Sequence, residues 1–532
     1  MATSYDHDVK HDDKTTVSSD VEHGVGLIEP VEDQANQDYY GKSISDSYRL
    51  KSEIVANCMT EMGMGRYQWE LFVVTGFGWI TDNFWSQGIG TIQPAVALEF
   101  TDVSRITISS VAYYVGMIVG ASFWGISSDF IGRKPAFNMT ILIGGVFAAA
   151  VAGLDNFAGF CVLWFLIGTA AGGNVPVDSL LFLEFVPASH QFLLTGLSAW
   201  WNLGQVIVSV LGWVFLANFS CSADAEVCLK ADNMGWRYVM ITLGGIALAF
   251  AFIRMFIFKM PESPRYLLSK GRDAEAVEAI NFIARRNKVP EPITLAMLQE
   301  VDAQLGNINA AEDGRAGLTK MEILKDNLKD FEPLNYKALF ATRKLGQQTG
   351  ILWAIWLVIG IAYPLFFNFL PTYLSRKFTS DATFDQTYRN YCIVSAVGVA
   401  GPISAAVLVN TRVGRRWAMG GSAIVTGVFL FAYTAADTPS MDLAFNCVTS
   451  VLGNFMYAIM YAFTPESFPG PHRGLGTGQA ATLLRFGGLC ASLIGTYTNF
   501  TVVPIYVSAA MWILTGFMSF GLPFESHGHA AL

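Results

Sequence analysis

A chain of 532 residues that is 52% hydrophobic and only 14% charged is not an ordinary soluble domain, where about a quarter of residues carry charge. The charged residues crowd into the first 70 positions and the 259–345 stretch, and the rest is broken into apolar runs of about 20 residues, enough to cross a bilayer core of about 30 Å. The net charge of −9 says little about partners, because the acidic excess lies mainly in the N-terminal tail, and the seven Cys show no metal-ligand spacing; neither a nucleic-acid partner nor a metal is expected.

Residues 1–66 hold few large apolar side chains and many Asp, Ser, His and Lys, so the expectation is a disordered tail without a cleavable signal peptide. Six spans then fill a first half, 67–258. The first, about Trp69–Ala97, carries Asp82 and Asn83; the second and third are about Ile106–Ile126 and Ala136–Leu154. The fourth, Ala158–Phe182, contains Gly172-Gly173-Asn174 and Asp178, and Glu184 follows it. The fifth, about Phe192–Leu216, contains Trp200-Trp201-Asn202 and Gln205, and the sixth is about Tyr238–Phe258. Between them a polar loop holds the sequon at Asn218 and the pair Cys221 and Cys228.

A polar linker, 259–345, follows with fourteen Lys and Arg, and its Ala274–Ala284 stretch has helical amphipathicity. Six more spans make a second half, 346–522: about 348–372, 391–410, 417–436, 442–463, 475–497 and 501–521, before a short tail, 523–532. The fold class expected is an all-α membrane protein, twelve transmembrane helices in two pseudo-symmetric six-helix halves. With both termini placed in the cytoplasm, the loops assigned inside hold twenty Lys and Arg against six outside, as the positive-inside rule requires. That orientation puts the sequons at Asn218 and Asn499 outside, for glycosylation, together with Cys221 and Cys228, where a disulfide persists.

Ionisable groups inside spans are the candidates for chemistry, because a mid-bilayer charge is costly without a wet cavity or a partner. Asp82 lies 13 residues into its span, about 20 Å along the axis and so near the midplane. Asn174 and Asp178 stack on one helical face around Pro176, which favours a kink. Asp82 and Asp178, read as unpaired buried carboxylates, are the proton-coupling candidates. Arg485 is the mid-span cation of the second half, with a fork of donors suited to an oxyanion. Asn83, Asn174, Asn202, Gln205, Asn368, Asn454 and Tyr457 complete the substrate-binding candidates, since an amide in lipid needs partners. Neither a Walker-type phosphate loop nor a hydrolase or zinc-protease motif occurs, so no enzyme and no cofactor is expected.

The turn between the second and third spans reads Gly125-x-x-x-Asp129-x-x-Gly132-Arg133-Lys134. It resembles the loop signature of the major facilitator superfamily, and the resemblance implies alternating access, with Asp129 and Arg133 bridging helix ends in one conformation and separating in another. Its echo in the second half is Thr411-Arg412-Val413-Gly414-Arg415-Arg416, where the acid is lost, so a charge lock is expected to rest mainly on Asp129. The gating set implied is Gly125, Asp129, Gly132, Arg133 and Glu184, with Arg415, Glu466 and Arg473 opposite.

Gly65-Arg66-Tyr67, Glu184-Phe185-Val186-Pro187, Trp236-Arg237-Tyr238 and Pro261-Glu262-Ser263-Pro264-Arg265 resemble the synaptic-vesicle-two-related, metabolite–proton symporter branch over about residues 65–522. That branch often has a basic residue near position 190, where this chain has His190. The expectation is a monomeric plasma-membrane symporter of protons and a small organic anion. The alternatives are a neutral sugar or polyol, since Pro261–Arg265 also resembles the sugar-porter signature, or a receptor on the same fold.

Overall fold

The computed structural model describes residues 46–100, 106–187, 190, 193–221, 228–305, 337, 339–368, 370, 384–408, 414–436, 438–468, 473–498 and 502–524. A short helix, α1 (Asp46–Met62), precedes the first half. The first three spans are α2 (Arg66–Phe100), α3 (Ile108–Ile131) and α4 (Arg133–Val151). The fourth is broken at Gly172-Gly173 into α5 (Phe157–Ala171) and α6 (Asn174–Phe185). The fifth and sixth, α7 (Leu193–Leu211) and α8 (Gly235–Phe252), each run on into a π-turn, Gly212–Leu216 and Ile253–Ile257.

The linker folds as α9 (Pro264–Ser269), α10 (Asp273–Asn287) and α11 (Leu295–Gln304). The second half is α12 (Arg343–Tyr363), the pair α13 (Phe384–Gly398) and α14 (Ala400–Leu408), α15 (Arg415–Tyr433), α16 (Pro439–Glu466), α17 (Arg473–Tyr497) and α18 (Val503–Phe520). Among the described residues, seven helices are by themselves long and apolar enough to cross a membrane. The first and eleventh spans carry Thr81, Asp82, Asn83 and Gln87, or Arg485, along their length, which is the composition of spans that face a polar interior.

The two halves repeat one packing scheme. In the first, span one packs on five, two on four and three on six; in the second, seven packs on eleven, eight on ten and nine on twelve. The halves then meet where span two lies along eleven and span five along eight. Without a hydrophobic drive between helices in lipid, close backbone approach supplies the attraction. Spans two and four show it directly: a Cβ on Gly172 would run into the Met117 carbonyl and the Ala121 amide.

The expectation of a disordered tail through residue 66 is corrected at Asp46, where α1 begins. Its apolar stripe, Val55, Cys58 and Met59, is buried in the same core as Ile280, Ile283 and Leu298 of α10 and α11. Lys51 fixes the register, its ammonium reaching Asp273 at 2.5 Å and Asp302 at 2.6 Å. Asn287, at the end of α10, accepts from the Tyr67 amide at 2.9 Å and so ties this platform to the start of the first span.

Burial disfavours the Lys51 charge, but the two carboxylates outweigh it and hold its pKa above the usual lysine value. A raised lysine contributes stability below its unfolded pKa and loses it as pH rises through the folded value, so this clasp is at full strength at neutral pH. Lys51→Met strands two neighbouring carboxylates and should cost about 2 kcal/mol. The expected result is a loss of about thirtyfold in hydrogen-exchange protection along α1 at pH 7, with the spans unchanged.

Candidate functional site

The first span places Asp82 mid-way along its length, buried against the fifth. One carboxylate oxygen, Oδ2, accepts from the Trp201 indole Nε1 at 3.3 Å; the other, Oδ1, has no hydrogen-bond partner. From the other half, Arg485 on the eleventh span donates through Nη1 to the Ala481 carbonyl at 2.8 Å, and its Nε is unpartnered. Asp82 and Arg485 line one cavity of about 50 Å³ between the halves, within electrostatic reach of each other. Its walls are aromatic. Trp201 and Tyr457 lie nearly parallel, 10° apart with centroids at 6.3 Å, and Tyr363 stands across them at 5.8 and 4.8 Å.

Of the sequence candidates, the structure brings Asp82, Tyr457 and Arg485 together at this cavity. The amides sit elsewhere. Asn83 Nδ2 donates to the Trp201 carbonyl at 2.6 Å, and Asn202 Nδ2 donates across the halves to the Gly398 carbonyl at 3.1 Å. Asn454 Nδ2 meets Ser450 Oγ at 3.4 Å on its own helix. Gln205 is buried in the fifth span, and the Asn174 amide is fully buried with neither atom bonded. Asn368 ends the π-turn Pro364–Asn368, and its side chain lies outside the described residues.

Asp178 was expected as an unpaired carboxylate, and the structure corrects that. Arg254, in the π-turn that continues the sixth span, pairs with it at 2.8 Å, and neither side chain is exposed at all. The signal was in the sequence, a single Arg inside Ala247–Phe258, and span-by-span reading passed over it.

At the end of the bundle that carries the linker, Arg133 pairs with Glu184 in the first half and Arg415 with Glu466 in the second. The second half therefore has its own charge pair, while the Asp129 side chain, on which a lock was expected mainly to rest, lies outside the described residues. Arg473 is buried beside this region, while the side chains around Gly125 and Asp129 lie outside the described residues. Gly132 takes φ of 101°, and a Cβ there would run into the Glu262 carboxylate. Glu262 Oε1 accepts from the Arg133 amide at 3.0 Å and the Lys134 amide at 3.4 Å, capping the third span at its positive end. Glu184→Gln with Glu466→Gln should loosen both pairs. The expected readout is a several-fold faster labelling of single cysteines reached from the linker end, at unchanged expression.

At the opposite end hydrogen bonds join the halves, one of them from the Trp213 indole to the Asp385 carboxylate at 2.7 Å. The Tyr388 hydroxyl donates to the Thr91 carbonyl at 2.8 Å and the Tyr391 hydroxyl to Gln87 Oε1 at 2.9 Å. Cys221 and Cys228 are joined in a disulfide, Cα–Cα 6.0 Å. Asn218 is exposed, and Asn499 lies outside the described residues. Among the described residues no cluster of His, Cys, Asp and Glu is placed to hold a metal.

The family model described as Major Facilitator Superfamily matches residues 71–410. The chain is 62% identical over 515 residues to "Major facilitator-type transporter hxnZ" of Emericella nidulans, covering 96% of this chain and 93% of that one. It is 42% identical to "MFS siderochrome iron transporter 1" of Ceriporiopsis subvermispora, with 91% and 92% covered. It is 27% identical to "Niacin transporter NiaP" of Acinetobacter baylyi, with 85% and 94% covered. The solved structure of the proton:xylose symporter XylE matches in fold, with a TM-score of 0.64 at 16% identity over 87% of this chain and 98% of that one. Two repeated six-helix halves, a polar cavity where they meet and these relatives agree: the chain belongs to the major facilitator superfamily, and it is a secondary transporter, not an enzyme.

Proposed function

We propose that this protein is a proton-coupled symporter of a small organic anion, a carboxylate, working by alternating access. The observation that carries the reading is that an acid from one half and a guanidinium from the other line a single cavity, each with an unpartnered polar atom. An incoming carboxylate takes the Arg485 fork, and Asp82, deprived of its counter-charge in a site of low dielectric, takes a proton. Substrate and proton then cross together, because a lone charge in the cavity has no partner for the passage.

The aromatic walls and the printed substrate of the Acinetobacter relative favour an acid on a flat ring, of which pyridine-3-carboxylate is the simplest probe. A cavity of about 50 Å³ is too small for that ring, so the halves must part to admit it. The siderochrome named for the second relative is an alternative that the test includes. Uptake of radiolabelled nicotinate, nicotinamide, xylose and a ferric siderophore at two external pH values separates the classes. Nicotinate uptake that rises at acid external pH supports the reading; xylose uptake alone moves it to the neutral-solute alternative.

The orientation proposed puts both termini and the linker in the cytoplasm of a plasma-membrane protein that works as a monomer. Removing N-glycans from the native protein should then raise its mobility, and Asn218→Gln should remove part of that shift.

A further inference from the structure

Arg254 is a buried cation that the cavity does not use. Its guanidinium serves three other spans at once. Nη1 donates to the Phe137 carbonyl of the third span at 2.7 Å, Nε to the Val74 carbonyl at 3.1 Å and Nη2 to the Thr75 carbonyl at 3.2 Å, both on the first. The Asp178 carboxylate of the fourth span takes the fork at 2.8 and 3.4 Å, and the ring of Phe137 lies under the guanidinium at 3.6 Å.

This arrangement enters the first span through Gly78, where a Cβ would collide with Asp178 Oδ2 and Arg254 Nη2. Asp82 is four residues further along and so on the same helical face, one turn above the ion pair. Neither Asp178 nor Arg254 lines the cavity. A proton arriving at Asp178 would have to displace the fork from its oxygens and leave a buried guanidinium uncompensated.

We propose that Arg254 is a positioning residue for the proton site: with Asp178 as its fixed counter-ion it anchors the inner half of the first span, and so sets Asp82 against Trp201 and Arg485. Asp178 carries no proton during the cycle. The inference rests on Asp82 as the proton carrier. The charged groups around Asp82 are Arg485 across the cavity and the Asp178–Arg254 pair one turn away. The other titratable groups facing it are hydroxyls of Tyr113 and Tyr114 on the second span, Tyr363 on the seventh, and Tyr457 and Tyr461 on the tenth.

Two readouts test it on the purified full chain. The first needs no substrate: the Trp201 indole donates to Asp82, so a pH-dependent step in its emission, taken as the difference from Trp201→Phe, reports that contact. The second is the proton-to-nicotinate ratio in proteoliposomes. Arg254→Lys keeps a charge for Asp178, but a point-like ammonium cannot serve three carbonyls as well. Its emission step should shrink by at least half and its uptake fall about tenfold, at an unchanged proton ratio.

The doubly neutral Asp178→Asn/Arg254→Gln leaves no stranded charge, so it folds where either single change fails. It should keep the wild-type proton ratio at reduced rate. A ratio falling toward zero in that double variant overturns the inference, because Asp178 would then be a carrier. So does an Arg254→Lys protein with a full emission step and full uptake. A step that survives Asp82→Asn removes the carrier, and the inference with it. If nicotinate does not enter the wild type, only the substrate reading fails, and the emission step still decides the positioning role.

Discussion

Replacing Arg485 by Gln should lower nicotinate uptake about a hundredfold and leave any nicotinamide uptake within a few-fold of wild type. The size follows from the loss of a charge-assisted fork in a buried site, where removing one partner of a charge pair costs on the order of 2–5 kcal/mol. Arg485→Lys should fall between, nearer the Gln variant, because one ammonium cannot reproduce two parallel bonds. If Arg485 serves only to neutralise Asp82, acid and amide lose equally, and Asp82→Asn with Arg485→Gln regains transport. Uptake of the matched acid and amide in all four proteins decides between these results.

Asp82→Asn is the second large effect. It should abolish accumulation driven by a pH gradient and leave exchange of internal for external substrate partly intact. An Asn carbonyl still accepts from the Trp201 indole, so the wall keeps its shape while the proton site is gone. Counterflow at symmetric pH and net uptake under a gradient, measured side by side, should diverge at least tenfold. A variant that still concentrates substrate at acid external pH ends the assignment of the proton to Asp82.

Most of the fold was legible because lipid removes choices. An apolar run of about 20 residues between polar loops has one stable structure in a bilayer, and the twelve helices lie close to where the runs predict them. Breaks inside the runs were less visible: Gly172-Gly173 and Pro364 mark two of them in sequence, but the π-turns that end spans five and six carry no such sign.

At the site, ionic and aromatic groups were easier to place than amides. Asp82, Arg485, Trp201, Tyr363 and Tyr457 meet at one cavity because charge and large rings have few tolerable places inside a bundle. An Asn satisfies itself on any nearby carbonyl, as Asn83 and Asn202 do, so its presence in a span says little about a ligand. The partner of Asp178 was hidden for another reason. Arg254 is 76 positions away, and pairing across a bundle leaves no spacing to read. The helix at Asp46–Met62 was masked by the polar composition around it, although Val55, Cys58 and Met59 already form a stripe of helical period.

The two ends of the bundle are fastened by different chemistry, and that difference reaches beyond the single chain. At the linker end the fastening is ionic, Arg133 to Glu184 and Arg415 to Glu466. The seam at the other end is closed by two tyrosine hydroxyls, on a carbonyl and an amide oxygen, and by the exposed Asp385 carboxylate, which accepts from the Trp213 indole. Salt therefore acts on the two ends unequally: at the linker end it weakens the pairs within each half, and at the other it leaves the tyrosine bonds between the halves as they are.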